Sequence, residues 1–266
     1  MNREVKMKTC GLLGGIAWTS SAHYYKMLNS GVSKSLGGLH SSRCIMFSLN
    51  LQEYSDLAYN DDKTGFKDLI SDAALSVFKA GADFLVICSN TAHMALDEIK
   101  SKCKVNKIEK FINKEESILH IADCTAYVIK NQYPQVKNIG LIGTIFTMKS
   151  HHIVDRLEMH GFNVIVPENE KDQRVIMDII ETELTQEIFD NPKSIEAILN
   201  IIYQLLKDKN IQGVVLGCTE LPLLIKERVL NNNLYVFDPT EMHIECAIKV
   251  QLNEAEIKDF LPNFYN

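Results

Sequence analysis

The sequence predicts an α/β fold of two similar domains, each a parallel-stranded sheet flanked by helices, related by a pseudo-twofold axis with a cleft between them. Three observations predict it. Short apolar, β-branched runs alternate with longer amphipathic stretches, the runs lack the polar alternation of half-exposed strands, and two motifs recur at one offset. Strands buried on both faces are continuously apolar, and their alternation with helices is typical of parallel sheets.

The predicted elements follow from this alternation. Phe84-Leu85-Val86-Ile87 is typical of a buried parallel strand, because all four side chains are apolar. On the same basis, strands are predicted over residues 9–13, 43–49, 83–88, 118–121, 138–142, 163–166, 213–216 and 234–237. Amphipathic helices are predicted between them, among others over residues 20–34, 65–80, 194–209 and 241–252.

An internal repeat divides the chain. Gly14 and Gly143 each end a predicted strand, Ser89 and Cys218 each follow one, and both pairs are 129 positions apart. Two equal offsets can arise by chance, but two similar α/β domains explain them directly. We therefore expect a first domain of residues 1–120 plus 238–266 and a second of residues 121–237. A cleft beyond the carboxyl ends of the strands would then be the natural binding site.

Composition and charge exclude several classes of protein. The chain has 266 residues with 28 Lys and Arg against 34 Asp and Glu, a net charge of −6. It shows no basic stripe for nucleic acid, no apolar run of the roughly 18 residues that span a bilayer, and no leader-like start. The seven cysteines are scattered without a C-x-x-C pair, so neither a disulfide scaffold nor a metal site is expected. The sequence predicts a cytoplasmic protein that binds neither nucleic acid nor membrane.

A glycine turn follows the first predicted strand. Gly14 and Gly15 lead into a helix that carries Tyr24 and Tyr25, and Gly15 is predicted to bring backbone N–H groups close to an anionic ligand. The spacing does not fit G-x-G-x-x-G, so a dinucleotide site is not supported. The alternative is a tight strand–helix turn without a binding role.

Ser89 and Cys218 are the candidate catalytic residues. Each follows a buried predicted strand and precedes a helix, where the helix dipole and free N–H groups are expected to lower the pKa of a thiol. Two such groups on opposite sides of one carbon can invert a stereocentre, since one removes a proton while the other delivers one. That chemistry needs neither a metal nor an organic cofactor.

Seven short motifs spread over most of the chain can be compared with known families: Gly11-Leu12-Leu13-Gly14-Gly15, Tyr24-Tyr25, Gly37-Gly38-Leu39-His40-Ser41, Ser89-Asn90-Thr91, His120-Ile121-Ala122-Asp123, Leu141-Ile142-Gly143-Thr144 and Gly217-Cys218-Thr219-Glu220. Together they resemble the motifs of the aspartate/glutamate racemase family, which works without pyridoxal phosphate. The resemblance implies two α/β domains with the active site between them, one catalytic residue from each, a homodimer, and interconversion of the L and D forms of aspartate or glutamate.

One position departs from the commoner Cys-Asn-Thr pattern of that family. Ser89 stands directly before Asn90-Thr91, and Cys88 lies one place earlier. Because side chains alternate along a strand, Cys88 is expected to point away if Ser89 faces the ligand. The chain therefore resembles the branch with a hydroxyl in the first catalytic position, with Cys88 as the alternative. Cys218 is then expected to be the more capable base.

Further site residues are predicted around this pair. His93 and Glu220 are expected to help Ser89 and Cys218, although a structural histidine and a helix cap are equally ordinary readings. Hydrogen bonds to the substrate α-carboxylate and to the charge that develops on it are predicted from Asn90, Thr91, Thr144 and Thr219.

The distal carboxylate of the substrate requires a polar contact and a cation. The resemblance implies Gln52 for the contact and Arg174 for the cation, with Lys171 as the second choice. A solvated, charged helix start is the alternative for the segment that carries these two basic residues.

Two other functions remain open. A decarboxylase or cis–trans isomerase of the same superfamily can rely on Cys218 alone. A non-catalytic protein that binds an acidic amino acid is the third possibility. Sequence does not separate aspartate from glutamate, because one methylene in a pocket is worth only about 1–3 kcal/mol.

Overall fold

The computed structural model describes residues 6–113, 116–149 and 151–262. These residues divide into two compact units. The first contains the described residues up to Ile121 together with Thr240–Leu261, and the second contains Ala122–Pro239 and Pro262.

The first unit is built on a four-stranded parallel sheet in the order β2-β1-β3-β4. β1 and β3 lie inside the sheet and are buried along their whole length, as their apolar sequences predict. The strands are β1 (Cys10–Gly14), β2 (Cys44–Ser48), β3 (Phe84–Ile87) and β4 (Ile118–Leu119). Its helices include α1 (Trp18–Leu36), α2 (Leu51–Tyr59), α3 (Lys63–Lys79), α4 (Leu96–Val105) and α5 (Glu109–Ile112), with a 3-10 turn at Thr91–Ala95.

The second unit contains a five-stranded sheet in the order β6-β5-β7-β9-β8, parallel except for β8, which runs antiparallel to β9. The strands are β5 (Asn138–Ile142), β6 (Asn163–Ile165), β7 (Gly213–Leu216), β8 (Val229–Leu230) and β9 (Leu234–Phe237). The helices that follow in this part of the chain are α6 (Ile121–Gln132), α7 (Ile145–Lys149), α8 (His151–Met159), α9 (Glu170–Thr182), α10 (Pro192–Lys209) and α11 (Leu221–Leu224).

The two sheets repeat one topology. In each, the first strand lies between the second and the third, and the next parallel strand follows the third. The helix after the last parallel strand belongs to the other unit: α6 follows β4 but lies in the second unit, and α12 (Pro239–Gln251) follows β9 but lies in the first. The chain therefore passes from the first unit to the second after Ile121 and returns to the first after Pro239.

Capping residues explain where the long helices begin and end. The Asn191 side chain accepts a hydrogen bond from the Lys193 N–H, Pro192 occupies the first turn of α10, and Asn210 ends this helix with φ 51°. α1 ends at Gly37 with φ 71°, a conformation that favours glycine. Within the described ranges, no helix is both long and apolar enough to cross a membrane.

The predicted α/β class with parallel sheets is confirmed, and β5, β7 and β9 have the predicted bounds. The strand predicted over residues 118–121 is wrong in its second half, because Ile121 already begins α6. The other strand bounds differ from the prediction at their ends: β1 reaches Gly14, and β2, β3 and β6 are shorter than predicted. The short antiparallel strand β8 was not predicted, since two residues carry no periodic signal.

Candidate functional site

Each sheet has one place where the strand order reverses. β2 and β3 lie on opposite sides of β1, and β6 and β7 lie on opposite sides of β5. In open α/β sheets, ligands bind at the carboxyl ends of the strands next to such a reversal. In the first unit these ends carry Gly15 and Ser89, and in the second they carry Thr144 and Cys218.

The glycine turn after β1 is held by its own hydrogen bonds. The Gly15 N–H donates to the Ser21 hydroxyl at 2.7 Å, and the Gly14 carbonyl accepts from the Leu49 N–H at 2.9 Å. Gly15 has φ 87°, and a Cβ there would overlap the Leu49 backbone. The Gly15 N–H is therefore engaged within the turn itself, and the predicted role of Gly15 in binding an anionic ligand stays a prediction.

Ser89 lies two residues beyond β3 and is nearly buried. Its Oγ accepts a long hydrogen bond of 3.4 Å from the Ala92 N–H. Cys88, one residue earlier, is fully buried, and its Sγ lies 4.0 Å from the carbonyl of Val86. Burial raises the pKa of the Cys88 thiol far above its ordinary value. Both side chains are less than a tenth exposed, and the assignment of Ser89, rather than Cys88, to the site stays a prediction.

The residues after Ser89 are buried as well. Asn90 precedes the 3-10 turn that Thr91 begins, and both side chains are less than a tenth exposed. The His93 ring, also buried, contacts the carbonyl oxygen of Ser89 through Nδ1 at 2.7 Å and the N–H of Ile121 through Nε2 at 3.3 Å. His93 therefore supports Ser89 through the main chain and not through the hydroxyl.

The turn after β5 comes close to the Cys218 loop. A Cβ on Gly143 would lie 2.8 Å from the carbonyl carbon and oxygen of Gly217, so only glycine allows this approach without a shift of backbone. The Gly217 N–H donates to the Ile142 carbonyl at 2.6 Å and fixes the loop to the sheet. Thr144 is half-buried and its Oγ1 accepts from the Thr147 N–H at 3.1 Å, so it caps α7.

Cys218 and Glu220 form a buried pair. The Cys218 Sγ donates to the Glu220 Oε2 at 3.0 Å, and the Thr219 hydroxyl donates to the same oxygen at 3.1 Å. Burial, the negative charge of Glu220 and this hydrogen bond raise the pKa of Cys218 well above its ordinary value, against the lowering effect of backbone N–H groups. The sequence-based expectation of a lowered pKa is therefore wrong. α11 has only four residues and offers little dipole to oppose the carboxylate.

The residues predicted to bind the distal carboxylate lie on exposed helix surfaces. The Gln52 Nε2 donates to the Asp56 Oδ1 at 2.7 Å along α2. The Arg174 Nε lies 2.8 Å from the Asp178 Oδ1 on its own helix α9, and its side chain is 60% exposed. Lys171 is exposed at the start of the same helix. In this structure each of the first two side chains is engaged by a carboxylate of its own helix.

Sequence reasoning missed one group of residues behind Ser89. Tyr24 and His243 are fully buried, and the Tyr24 hydroxyl lies 3.2 Å from the His243 Nδ1. In the sequence, Tyr24 stood out only as part of a motif. His243 could not be recognised as its partner, because the two residues are 219 positions apart along the chain. In the part of the chain that the structure describes, no group of three or more His, Cys, Asp or Glu residues is placed to hold a metal ion.

Comparison with known proteins agrees with this architecture. A solved structure from Yersinia pestis, provisionally named an Asp/Glu racemase, is 36% identical, covers 92% of this chain and 100% of its own, and has a TM-score of 0.76. An aspartate racemase homologue from Pyrococcus horikoshii is 28% identical over 92% of this chain and 99% of its own, with a TM-score of 0.70.

More distant structures share the fold. The aspartate racemase of Picrophilus torridus is 20% identical, covers 95% of this chain and 97% of its own, and has a TM-score of 0.69. The model of the Asp/Glu/Hydantoin racemase family matches residues 13–247, which is most of the chain. With its repeated α/β units and this match, the chain belongs to the Asp/Glu/Hydantoin racemase family and is a racemase-type enzyme.

Proposed function

We propose that this enzyme racemises an acidic amino acid, aspartate or glutamate, by a two-base proton transfer without a cofactor. The observation that carries the proposal is the equivalence of Ser89 and Cys218. Each lies two residues beyond the third strand of its sheet, beside the strand that marks the reversal of strand order. The names of the structures from Yersinia pestis and Pyrococcus horikoshii, which are 36% and 28% identical to this chain, support an acidic substrate.

In the proposed reaction, the Cys218 thiolate takes the α-proton from one face of the substrate. The electron pair stays on the substrate as a carbanion, and hydrogen-bond donors stabilise the charge that spreads onto the α-carboxylate. Asn90 and Thr91 are the proposed donors, together with Thr144 and Thr219, whose hydroxyls would have to turn away from Thr147 and Glu220 to donate to the substrate. The carbanion then takes a proton from the Ser89 side, directly from the hydroxyl or through a water that the hydroxyl orients, and the product has the opposite configuration. The alkoxide or hydroxide left on that side takes a proton from solvent, and Cys218 loses its proton to solvent, which restores the starting state.

Glu220 is placed to take part in this cycle. Its Oε2 accepts the proton of the Cys218 thiol in the resting state. Formation of the thiolate requires that proton to move to Glu220 or to solvent. Since a carboxylate is a far weaker base than a thiolate, most of the resting enzyme holds the thiol. The thiol form is the proton donor for the reverse direction.

The two catalytic groups differ strongly in acidity, and this has a measurable consequence. The two enantiomers have equal free energy in water, so kcat/KM must be the same in both directions. The asymmetry must instead appear in exchange of the α-proton with solvent. The enantiomer whose α-proton faces Cys218 should exchange without inversion faster than the other, because the thiol returns a solvent-derived proton to the same face.

Deuterium exchange tests the proposal. Wild-type enzyme in D₂O should exchange the α-proton of aspartate or glutamate, and Cys218→Ala should abolish exchange of both enantiomers. Ser89→Ala should stop inversion while one enantiomer still exchanges. Cys88→Ala should retain most of the activity. Full exchange by Cys218→Ala would refute the assignment, and a dead Cys88→Ala enzyme with an unchanged thermal midpoint would transfer the first catalytic role to Cys88.

Arg174 remains the proposed partner of the distal carboxylate, with Lys171 as the alternative. Binding the substrate would require Arg174 to exchange or share its contact with Asp178. Arg174→Gln should raise KM for aspartate and leave KM for a neutral amino acid unchanged. Equal KM values for aspartate in the wild type and Arg174→Gln would contradict this role, and Lys171→Gln should then be measured.

A second candidate function is decarboxylation or cis–trans isomerisation at Cys218 alone. One observation favours it: only Cys218 of the two catalytic residues has a buried carboxylate beside it, whereas the Ser89 hydroxyl contacts a backbone N–H. Turnover of maleate or of a disubstituted malonate, without α-proton exchange of any amino acid, would support this candidate. Binding of glutamate with neither reaction would indicate a non-catalytic protein.

The assembly and location are also proposals. We infer a homodimer from the family resemblance of the sequence, and a cytoplasmic location from its composition and its scattered cysteines. Sedimentation velocity tests the dimer, which should give one species of twice the 30.1 kDa chain mass. A single monomeric species at micromolar concentration would contradict it.

A further inference from the structure

Four buried aromatic side chains of the first unit lie behind the Ser89 turn, and we call them the imidazole cluster: Tyr24, His93, His120 and His243. None is more than 3% exposed. The ring centroids of His93 and His120 are 4.4 Å apart, and those of His93 and His243 are 6.2 Å apart. Tyr24 meets His243 edge-on at 5.9 Å. Because the three histidine rings are buried and lie close together, protonating more than one of them at a time has a high free-energy cost.

The contacts of His93 define its protonation state. The Ser89 carbonyl oxygen, 2.7 Å from Nδ1, can only accept a hydrogen bond, so Nδ1 carries the proton. The Ile121 N–H, 3.3 Å from Nε2, can only donate a hydrogen bond, so Nε2 is unprotonated and accepts it. His93 is therefore the neutral Nδ1–H tautomer.

The contacts of His243 define the opposite state. Its Nε2 lies 2.9 Å from the Leu119 carbonyl oxygen, which can only accept, so Nε2 carries the proton. Its Nδ1 then accepts from the Tyr24 hydroxyl at 3.2 Å. Two neighbouring rings thus hold opposite neutral tautomers, and each is fixed by a main-chain group.

The main-chain groups involved belong to neighbouring strand ends. Ser89 follows β3, and Leu119 and Ile121 flank His120 where β4 passes into α6. His93 therefore connects the Ser89 peptide to the β4–α6 junction, and His243 connects that junction to α1 through Tyr24. The Ser89 carbonyl belongs to the same peptide plane as the Asn90 N–H, so holding one sets the direction of the other.

We propose that His93, locked as the Nδ1–H tautomer with His243 as the Nε2–H tautomer, is a positioning residue that fixes the Ser89 peptide for catalysis. His93 touches the Ser89 carbonyl and not the Ser89 hydroxyl, so it acts by orientation and not as a base. The tautomers stand on hydrogen-bond geometry alone, whereas the catalytic consequence rests on the proposed function.

Nuclear magnetic resonance of the ¹⁵N-histidine-labelled protein tests the tautomers directly. Long-range ¹H–¹⁵N correlation at neutral pH should show a protonated Nδ1 for His93 and a protonated Nε2 for His243. Spectra of His93→Asn and His243→Asn assign the two rings by loss of their signals. The same tautomer in both rings, or a doubly protonated His93, would overturn the proposal. This readout needs no activity, so it stands even if the enzyme exchanges no amino acid.

Paired substitutions test the positioning role. An asparagine side chain at position 93 can place an amide N–H donor near the position of the histidine Nδ1–H. A glutamine side chain reaches further and can place its amide oxygen, an acceptor, near the position of the histidine Nε2. His93→Asn should therefore keep a kcat for α-proton exchange about tenfold above that of His93→Gln, since one positioning hydrogen bond is worth about 1–1.5 kcal/mol. KM should change little in either variant. Exposed His151→Asn is the control and should match the wild type.

The outcomes separate orientation from simple stability. If His93→Asn and His93→Gln have equal kcat values, or if kcat follows the thermal midpoint and not the retained donor, His93 has no positioning role. If the wild type exchanges no acidic amino acid while the two tautomers are observed, the proposed function fails and the locked tautomers remain. If neither variant folds, the His93 ring is assigned in the wild type by through-bond correlation from its own backbone, and any tautomer other than Nδ1–H overturns the proposal.

Discussion

Cys218 and Glu220 are two residues apart and both are buried, so little water screens one from the other. A thiolate at this place would face the carboxylate at 3.0 Å. Two like charges at that distance are unfavourable, and the pair therefore holds one proton between its two acidic groups. Glu220 orients the sulfur at the cost of making it harder to ionise.

Replacing Glu220 should reverse this effect. Glu220→Gln removes the negative charge and keeps a side chain of similar shape, so the pKa of Cys218 should fall toward its ordinary value. More thiolate should then be present at pH 8, and alkylation of Cys218 by iodoacetamide should be faster. Peptide-resolved mass spectrometry over a pH series gives the midpoint for this cysteine alone.

The matched control is Glu227→Gln, the same change at an exposed position nine residues beyond Cys218. It should leave the alkylation midpoint of Cys218 where it is in the wild type. A midpoint that stays fixed in Glu220→Gln, or rises, would show that the carboxylate does not control the thiol.

At the scale of elements, α6 and α8 are joined by a buried carboxylate. Asp123 is 1% exposed, and its two oxygens accept from Arg156 Nε at 2.8 Å and from its second terminal nitrogen at 2.7 Å. The His160 Nε2 lies 2.9 Å from the same carboxylate. Two parallel N–H···O bonds to a carboxylate are a strong and directional contact.

Asp123→Asn should lower the free energy of unfolding by about 3–5 kcal/mol, because it leaves a largely buried guanidinium without its counter-charge. Asp155→Asn removes the exposed partner of His151 and should change it by no more than about 0.5 kcal/mol. Urea unfolding of the three proteins measures both values. Equal urea midpoints for the two variants would show that the Asp123 contacts contribute no more to stability than the exposed contact of Asp155 with His151.

The sequence predicts elements best where local pattern alone decides them. β5, β7 and β9 have their predicted bounds because each is a continuous apolar run between polar turns. The equivalence of Ser89 and Cys218 was also visible as a repeat. What could not be predicted depends on distant contacts: Glu220 raises the pKa of Cys218 only because both are buried, and His243 meets Tyr24 only through the fold.

At the scale of the whole molecule, Gln251 ties the end of α12 to the start of the first sheet. Its Nε2 donates to the carbonyls of Lys8 and Arg43 at 3.0 and 2.8 Å, and its Oε1 accepts from the Ser42 hydroxyl at 2.9 Å. The side chain is fully buried. Three parts of the chain that are far apart in sequence therefore meet at one amide.

Gln251→Ala should destabilise the protein by about 1–3 kcal/mol, because it removes the amide partner of the Lys8 carbonyl and of the Ser42 hydroxyl, whereas the Arg43 carbonyl keeps the Cys10 N–H. The exposed Gln204→Ala is the control, and it should change the free energy of unfolding by no more than about 0.5 kcal/mol. Chemical unfolding followed by circular dichroism gives both numbers. An unaltered midpoint for Gln251→Ala would mean that water replaces the amide without loss.

The protein should lose stability in alkaline solution. Burial raises the pKa of Cys10, Cys88 and Cys218, and raises that of Cys103 to about 11. An unfolded thiol ionises near pH 8.5, so above that pH the unfolded chain releases protons that the folded protein retains. These thiols therefore contribute fully to the free energy of unfolding below about pH 8.5, and their contribution declines as the pH rises toward their pKa values in the folded protein.

One thiol can be isolated from this total. The free energy of unfolding should decline less steeply with pH in Cys103→Ala, by about 1.4 kcal/mol per pH unit between about pH 8.5 and the pKa of about 11 in the folded protein. The slope is the quantity to compare, since the substitution also shifts the absolute stability by removing buried volume. Thermal unfolding at several pH values from 8 to about 10 measures it. Parallel pH curves for the wild type and Cys103→Ala would contradict the assignment.

The exchange of last helices between the units has a consequence for synthesis on the ribosome. Domains ordinarily fold in the order in which they are translated. Here the first unit waits for α12, which brings His243 and Gln251, whereas the second unit has all of its strands before α12 is made. The unit whose strands are translated first therefore receives its last helix only after all strands of the second unit have been made. A nascent chain stalled before Thr240 would lack α12, and the surface of the first unit that α12 covers would be exposed to chaperones.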